Sequence, residues 1–244
     1  MDRMIYVSMA GAKALMQRQE ALANNLANAG TDGFRADMMT ARAVPVRQEG
    51  TATTRVYNVE TTAGFSNDSG PTRRTGNPLD IAVRGSGWIA VMAADGGEAY
   101  TRSGALLVDE QGVLTTRQGR PVMGDGGPIT VPPNSEVSIG SDGSVSAKAA
   151  NQPATPIGRI KLVDPPAAAL VKGGDGLLRQ RSGEPADADP AVRVVDGALE
   201  GSNVNVVEAM VGMIEVTRQF EMQMKLLQNS EANDQRAAQL LSMK

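Results

Sequence analysis

The chain has 244 residues and a net charge of −3; 41% of it is hydrophobic but only 3% aromatic, and it holds neither cysteine nor histidine. Disulfides, thiolate nucleophiles, zinc sites built on Cys or His, and imidazole acid–base chemistry are thereby excluded. Acidic and basic residues are interspersed, so no basic block offers the footprint of nucleic-acid binding.

From residue 3 to 28 the periodicity is helical. Ile5, Met9, Ala12, Met16, Leu22 and Leu26 recur at three-, four- and six-residue steps, and Thr31-Asp32-Gly33 supplies the turn that stops the run. Asp2, Arg3, Ser8 and Lys13 break up the start, so no signal-peptide core is expected and export would proceed without a cleaved leader. The stretch "ANNLANAGTDGFRAD", residues 23–37, is unusual, because asparagine is a poor helix former and costly to bury. Two readings of Asn24, Asn25 and Asn28 stay open. Asn24 and Asn28 lie four apart on one face among small alanines, placed to bond across a helix interface and fix its register. Alternatively, the asparagines cap a helix end that frays near Gly30. Phe34 is expected to anchor the connector that follows, while the sequence names no partner for Arg35.

Residues 37–78 match no regular pattern. They are rich in Thr, Gly, Ser, Asn and Pro and read as an extended connector, with an edge strand around residues 54–59. Residues 79–198 read as β. Candidate strands lie at 79–83, 88–92, 99–102, 105–108, 112–115, 129–131, 137–139, 159–163 and 191–195. Asp-Gly recurs at 32–33, 95–96, 125–126, 142–143, 175–176 and 196–197, the signal of two-residue hairpin turns with positive φ. Many short strands with such punctuation predict a sandwich or small barrel. A looser Ala-, Gly- and Asp-rich stretch spans residues 165–190.

The C-terminal pattern is helical again. Asn205 and Glu208 form a start signal, and Val206, Met210, Met213, Phe220, Met224 and Leu227 follow helical steps. No Gly or Pro occurs after Met213, which predicts one helix over residues 206–242. Its seven-residue stripe at Val206, Met213, Phe220 and Leu227 is that of a coiled-coil-like seam. The longest apolar run in the chain, residues 88–94, has seven residues against roughly twenty for a membrane span.

Catalytic signatures are missing. "EPADADP" lacks the central glycine and final glutamate of a calcium loop, "RGSGW" and "GDGG" complete no phosphate-binding motif, and Ser86 lacks the spacing of a nucleophile elbow. No enzyme activity, cofactor or metal is expected.

"ANNLANAGTDGFRAD", through Asn24, Asn25, Ala27, Asn28, Thr31, Gly33, Phe34 and Arg35, resembles the N-terminal signature of the axial proteins of the bacterial flagellum, the rod and hook family. The resemblance continues through "RTGNPLDIAVRGSGWIAV", "AYTRSGALLVDEQGVLTTRQGRPVMGDGGPITVP" and "VSIGSDGSVSA", and ends in "LEGSNVNVVEAMVGMIEVTRQF". It spans almost the whole chain, weakest over residues 38–70 and 165–195. One departure is Trp88-Ile89, where the family usually has two aromatics. The opening and the modest length look most like a proximal-rod member, with a distal-rod or hook-type subunit as the alternative. From another class, an exported β-domain binding protein would explain the strands but not the paired terminal seams.

The resemblance implies a mixed α and β fold: residues 1–36 plus 199–244 form a terminal helical rod-core domain, 37–78 a connector, and 79–198 an outer all-β domain. It implies a structural subunit that leaves through the flagellar type III export apparatus and polymerises helically with itself and other rod proteins. The result is a drive shaft crossing the periplasm in the flagellar basal body. Neither nucleic acid nor a stable membrane span enters this picture. The assembly interface implied by the terminal helices comprises Ile5, Met9, Met16, Leu22, Asn24, Asn25, Leu26, Asn28, Phe34, Val206, Met210, Met213, Phe220, Met224 and Leu227.

Overall fold

The computed structural model describes residues 2–45, 56–150 and 152–242. The fold is mixed, with a β-rich central region between an N-terminal helix, α1 (Asp2–Ala27), and a C-terminal helix, α2 (Val206–Ser242). By contacts the chain divides into two units. One is helical and comprises residues 1–27, 37–65 and 204–244; the other is β-rich and comprises 28–36 and 66–203.

In the helical unit α1 packs against α2. The residues buried along the two helices are mostly small: Ser8, Ala14 and Asn25 on α1, and Ala209, Val216 and Ser230 on α2. Small side chains let the backbones approach closely. A Cβ added to Gly212 would lie 3.4 Å from the Leu22 side chain, and one added to Gly11 would lie 2.7 Å from the Gln223 amide nitrogen. The start of α2 is capped as its sequence predicts, with Asn205 Oδ1 accepting from the Val207 and Glu208 amides at 3.1 and 3.3 Å. Within the span expected as a connector, β1 (Asp37–Pro45) and β2 (Val56–Phe65) pair antiparallel, with a register shift at Met38/Met39. Thr40, Thr61, Thr62 and Val59 supply the β-favouring residues of that ribbon. Residues 54 and 55 of the expected edge strand lie outside the described residues.

The β unit has a five-stranded antiparallel sheet in the order Leu162–Val163, Trp88–Met92, Glu98–Thr101, Leu178–Gln180, Leu170–Lys172. A three-stranded meander joins Ser135–Ile139, Ser144–Ala149 and Thr155–Arg159. Two-stranded pairs complete it, among them Ile81–Arg84 with Arg193–Asp196, and Thr72–Arg74 with Ala198–Glu200. Its core is aliphatic, as the scarcity of aromatics requires. Ile81, Ile89, Leu114, Val145 and Val194 are buried in a single cluster.

The turns differ in type from the sequence reading. Type I′ turns need positive φ at both central residues, yet Asn134 is the one non-glycine residue with positive φ among the described residues. Instead one pattern recurs. Residue 93 donates to 97 while 96 donates back to 93, and the same reciprocal bonds close 109–113, 116–120, 140–144 and 173–177. The fourth residue of each is a glycine with φ between 75° and 84°, the geometry of a type I turn followed by a glycine bulge. The aspartates of the Asp-Gly pairs keep negative φ and use their carboxylates. Asp95, Asp142 and Asp175 accept the amide two residues on at 3.0, 3.1 and 3.3 Å.

Candidate functional site

Arg35, without an evident partner in the sequence, is the centre of the β unit's closure. The side chains of Arg35, Arg102 and Glu200 are all 2% exposed. Glu200 Oε1 lies 2.8 Å from Arg35 Nη2, and Glu200 Oε2 lies 2.7 Å from Arg102 Nη1. Glu200 Oε1 also accepts the Gly70 amide at 3.0 Å, and the Glu200 carbonyl accepts the Gly33 amide at 2.7 Å. Arg102 donates to the carbonyls of Val83 and Gly85 at 3.3 and 2.6 Å, and Arg35 donates to that of Asp68. Both guanidinium groups lie over the Trp88 ring, at 5.5 Å for Arg35 and 5.1 Å for Arg102. Buried Arg35 Nε and Arg102 Nε have no acceptor among the described residues. Burial lowers the Arg35 pKa below its ordinary value, opposed by the neighbouring Glu200 carboxylate; an arginine so placed still keeps its charge.

The sequence brings these groups together through local geometry. Gly33 takes φ +73°, and a Cβ there would stand 2.2 Å from the Arg102 carbonyl carbon. Only glycine allows this approach, which sets Arg35 over the sheet. Gly70 meets the Gly201 carbonyl in the same way, at 2.1 Å from a Cβ. Phe34 lies beneath Lys172, whose Nζ is 3.9 Å from the ring centre and donates to the Arg35 carbonyl at 2.7 Å. Asn203 gathers three strands of chain. Its Oδ1 accepts the Ala36 amide at 2.8 Å, while its Nδ2 donates to the carbonyls of Ser66 and Asp68 at 3.2 and 2.8 Å. None of these partnerships has a periodic signature; Arg102, Glu200 and Asn203 are far from Arg35 in sequence.

Each of the three asparagines has a partner within the chain. Asn25, buried, brackets the first residue of β1: its Oδ1 accepts the Asp37 amide at 2.7 Å and its Nδ2 donates to the Asp37 carbonyl at 3.0 Å. Exposed Asn24 donates to the Asp37 carboxylate at 2.6 Å. Asn28 Oδ1 accepts from the Thr31 hydroxyl at 3.2 Å. Thus Asn24 and Asn25 fix where the ribbon leaves α1, and Asn28 closes the turn.

The other residues of the expected interface fall into three groups. Leu22, Leu26, Met213, Phe220 and Leu227 are half-buried in the helical unit. Met9, Met16, Val206, Met210 and Met224 are exposed. Ile5 lies on α1, but its side chain is outside the described residues. Tyr100 is the strongly shifted acid of the β unit. Burial pushes its pKa up to about 12, and the Glu98 carboxylate that accepts its hydroxyl at 2.9 Å adds to the shift, while the amide of Ala186 works against it. Lys161 neutralises Glu98 at 2.8 Å. Among the described residues no helix is long and apolar enough to cross a membrane, and no three Asp or Glu residues come together as a metal site.

The two ends of the chain fold as one helical unit, and the β unit inserted between them in sequence is closed by buried ion pairs. Three family models match in order along the chain. Flagella basal body rod protein covers residues 5–35, the flagellar hook protein FlgE/F/G D1 domain 82–147, and the flagellar basal body rod FlgEFG protein C-terminal 195–240. The flagellar basal-body rod protein FlgF of Escherichia coli (strain K12) is 45% identical over 253 residues, covering all of both chains. FlgF of Caulobacter vibrioides is 34% identical over 94% of each chain, and the rod protein FlgG of Buchnera aphidicola (Schizaphis graminum) is 32% identical over 97% of this one. The chain belongs to the flagellar basal-body rod protein family.

Proposed function

We propose that this chain is a structural subunit of the proximal flagellar rod, built into the shaft through its helical unit and contributing no chemistry of its own. The observation that carries the reading is the outer face of α2, where Val207, Met210, Val211 and Ile214 are each at least half exposed. A contiguous apolar face of this kind on a soluble subunit marks an interaction surface, and its burial against neighbours supplies the driving force for assembly. The relatives that match end to end are named as rod proteins, which supports partners of that kind for the surface: further copies of this chain and other rod proteins. In the shaft the terminal helices pair as a coiled-coil-like core, with the β unit, a sandwich or small barrel, lying outside it. Residues 1–36 with 199–244, 37–78, and 79–198 act as core, connector and outer part. The subunit reaches the periplasm through the type III export apparatus without a cleaved signal. Asn24 and Asn28, bonded within the single chain, exchange partners across subunits to fix register; unchanged rods in an Asn24→Ala/Asn28→Ala strain would remove this role.

The experiment is electron microscopy of basal bodies from a strain lacking the chain. Rings without a rod beyond their base are expected. A stub of rod would move the subunit outward to a distal position, and a complete rod and hook would refute the reading.

A further inference from the structure

Over its first third α2 is apolar on two opposite sides. One side carries Ala209 and Val216, 6% and 2% exposed, in the helical unit's interior. Two residues back along the helix from each, about 200° around the axis, stand Val207 and Ile214, 70% and 54% exposed; Met210 and Val211, both 50% exposed, complete the outer stripe. A helix apolar all round is one that is covered all round. Glu208 and Glu215, seven residues apart, run along one edge of the stripe, and residues 206–217 include no Lys or Arg.

Farther along the same helix, a groove of about 500 Å³ opens between α1 and α2. Gly11 and Leu15 of α1 and Gln219, Met222 and Leu226 of α2 line it, with Arg18 supplying a cation. Met222 and Leu226 are 57% and 45% exposed. Groove and stripe are complementary in shape and in charge: one is concave, lined by Leu15, Met222 and Leu226 beside Gln219 and Gln223 and edged by a guanidinium, the other convex, apolar and edged by carboxylates. Stripe on stripe in an antiparallel pair would bring Glu208 and Glu215 against their own copies, and in a parallel pair would leave them without a cation.

We propose that the outer stripe of one copy (Val207, Met210, Val211 and Ile214) seats in the groove of the next, with Glu208 and Glu215 turned towards Arg18. The inference rests on the rod reading and gives it a specific contact. Ile214 and Met222 are eight residues apart, about 12 Å along the helix. A contact between two different patches either closes as a two-fold pair, each stripe filling the other copy's groove, or runs head to tail and propagates; the rod reading selects the second, and cross-linking that stops at dimers would refute it.

The chain has no cysteine, so introduced thiols report without background. The full chain carrying Ile214→Cys together with Met222→Cys, expressed in a strain lacking the native copy, is treated with a short bis-maleimide. Cross-linked dimers and a ladder of higher species are expected, with each single variant giving about tenfold less. Arg18→Glu in the paired background lowers the ladder by about tenfold, the scale of a close interfacial charge pair, and adding Glu208→Arg and Glu215→Arg restores it. Swimming cells with no ladder overturn the contact while leaving the rod role intact. Ile214→Cys cross-linking to itself as well as the pair does so too, by showing stripe on stripe. Should the cysteine pair build no rods, motility of the charge variants decides: Arg18→Glu that swims normally, or that Glu208→Arg with Glu215→Arg fails to rescue, refutes the proposal. A complete rod in the deletion strain is the separate result that removes the rod role itself.

Discussion

Replacing Glu200 by alanine takes away the one carboxylate that both Arg35 and Arg102 approach within 2.8 Å, at a site where all three side chains are 2% exposed. Two guanidinium groups would then share a dry pocket with Trp88, and the Gly70 amide would lose its acceptor. Removing one partner of a buried ion pair costs about 3–5 kcal/mol, because the remaining charge is left uncompensated. For a domain of this size each kcal/mol lowers the midpoint by roughly 2–4 °C, so the β unit should melt about 10 °C lower. Trp88 is the only tryptophan in the chain and touches both arginines, so its fluorescence during guanidinium or thermal unfolding reads the site directly. Glu200→Gln, which keeps acceptor and donor atoms in place, should lose less. A Glu200→Ala protein whose Trp88 transition shifts by less than the equivalent of about 1 kcal/mol would refute the argument, since that is the scale of an exposed pair.

The exposed pair Arg159–Asp142, with side chains 41% and 46% exposed, is the internal contrast: Arg159→Ala should cost well under 1 kcal/mol in the same assay. Asn25→Ala strands both backbone groups of Asp37 and should destabilise the helical unit by about 1–3 kcal/mol, read as faster amide exchange at Asp37. Gly33→Ala forces a side chain onto the Arg102 backbone at positive φ and should leave little soluble β unit, measured as yield and proteolytic resistance. Tyr100 should ionise at about pH 12 in a tyrosinate absorbance titration, and Tyr100→Phe should abolish that step. Because the folded state raises this pKa, its contribution to stability is intact below pH 10 and is lost as the pH climbs towards 12.

Where the sequence signals were repetitive, they carried through. Residues 206–242 were legible as one helix because an apolar period runs there without Gly or Pro, and Val206–Ser242 is that helix. The strand at residues 88–92 was legible from its apolar run. Ser144–Ala149 was not, since "SVSAKA" alternates small and polar residues that β-propensity barely ranks, and its pairing on both sides decides the matter. The expected strand at 159–163 is divided between Thr155–Arg159 and Leu162–Val163, which belong to different sheets. At 129–131 an isolated bridge from Thr130 to Val113 takes the place of the expected strand. The closure around Arg35 could not be read at all. It joins residues 35, 102 and 200, and pairing over such separations leaves no local periodicity. The one hint was Gly33 directly before an aromatic-basic pair, a glycine too constrained for an ordinary turn.

Asn203 has a consequence for how such a chain can be altered. Its amide joins Ser66, where residues 66–203 begin, to the point where they end, through a hydrogen bond of 3.2 Å. A segment whose first and last residues touch behaves as a cassette: it can be lengthened, shortened or exchanged at one spot without stretching the chain on either side. A reporter domain with equally adjacent ends, spliced in at Ser66 and Asn203, would thus inherit a ready-made socket.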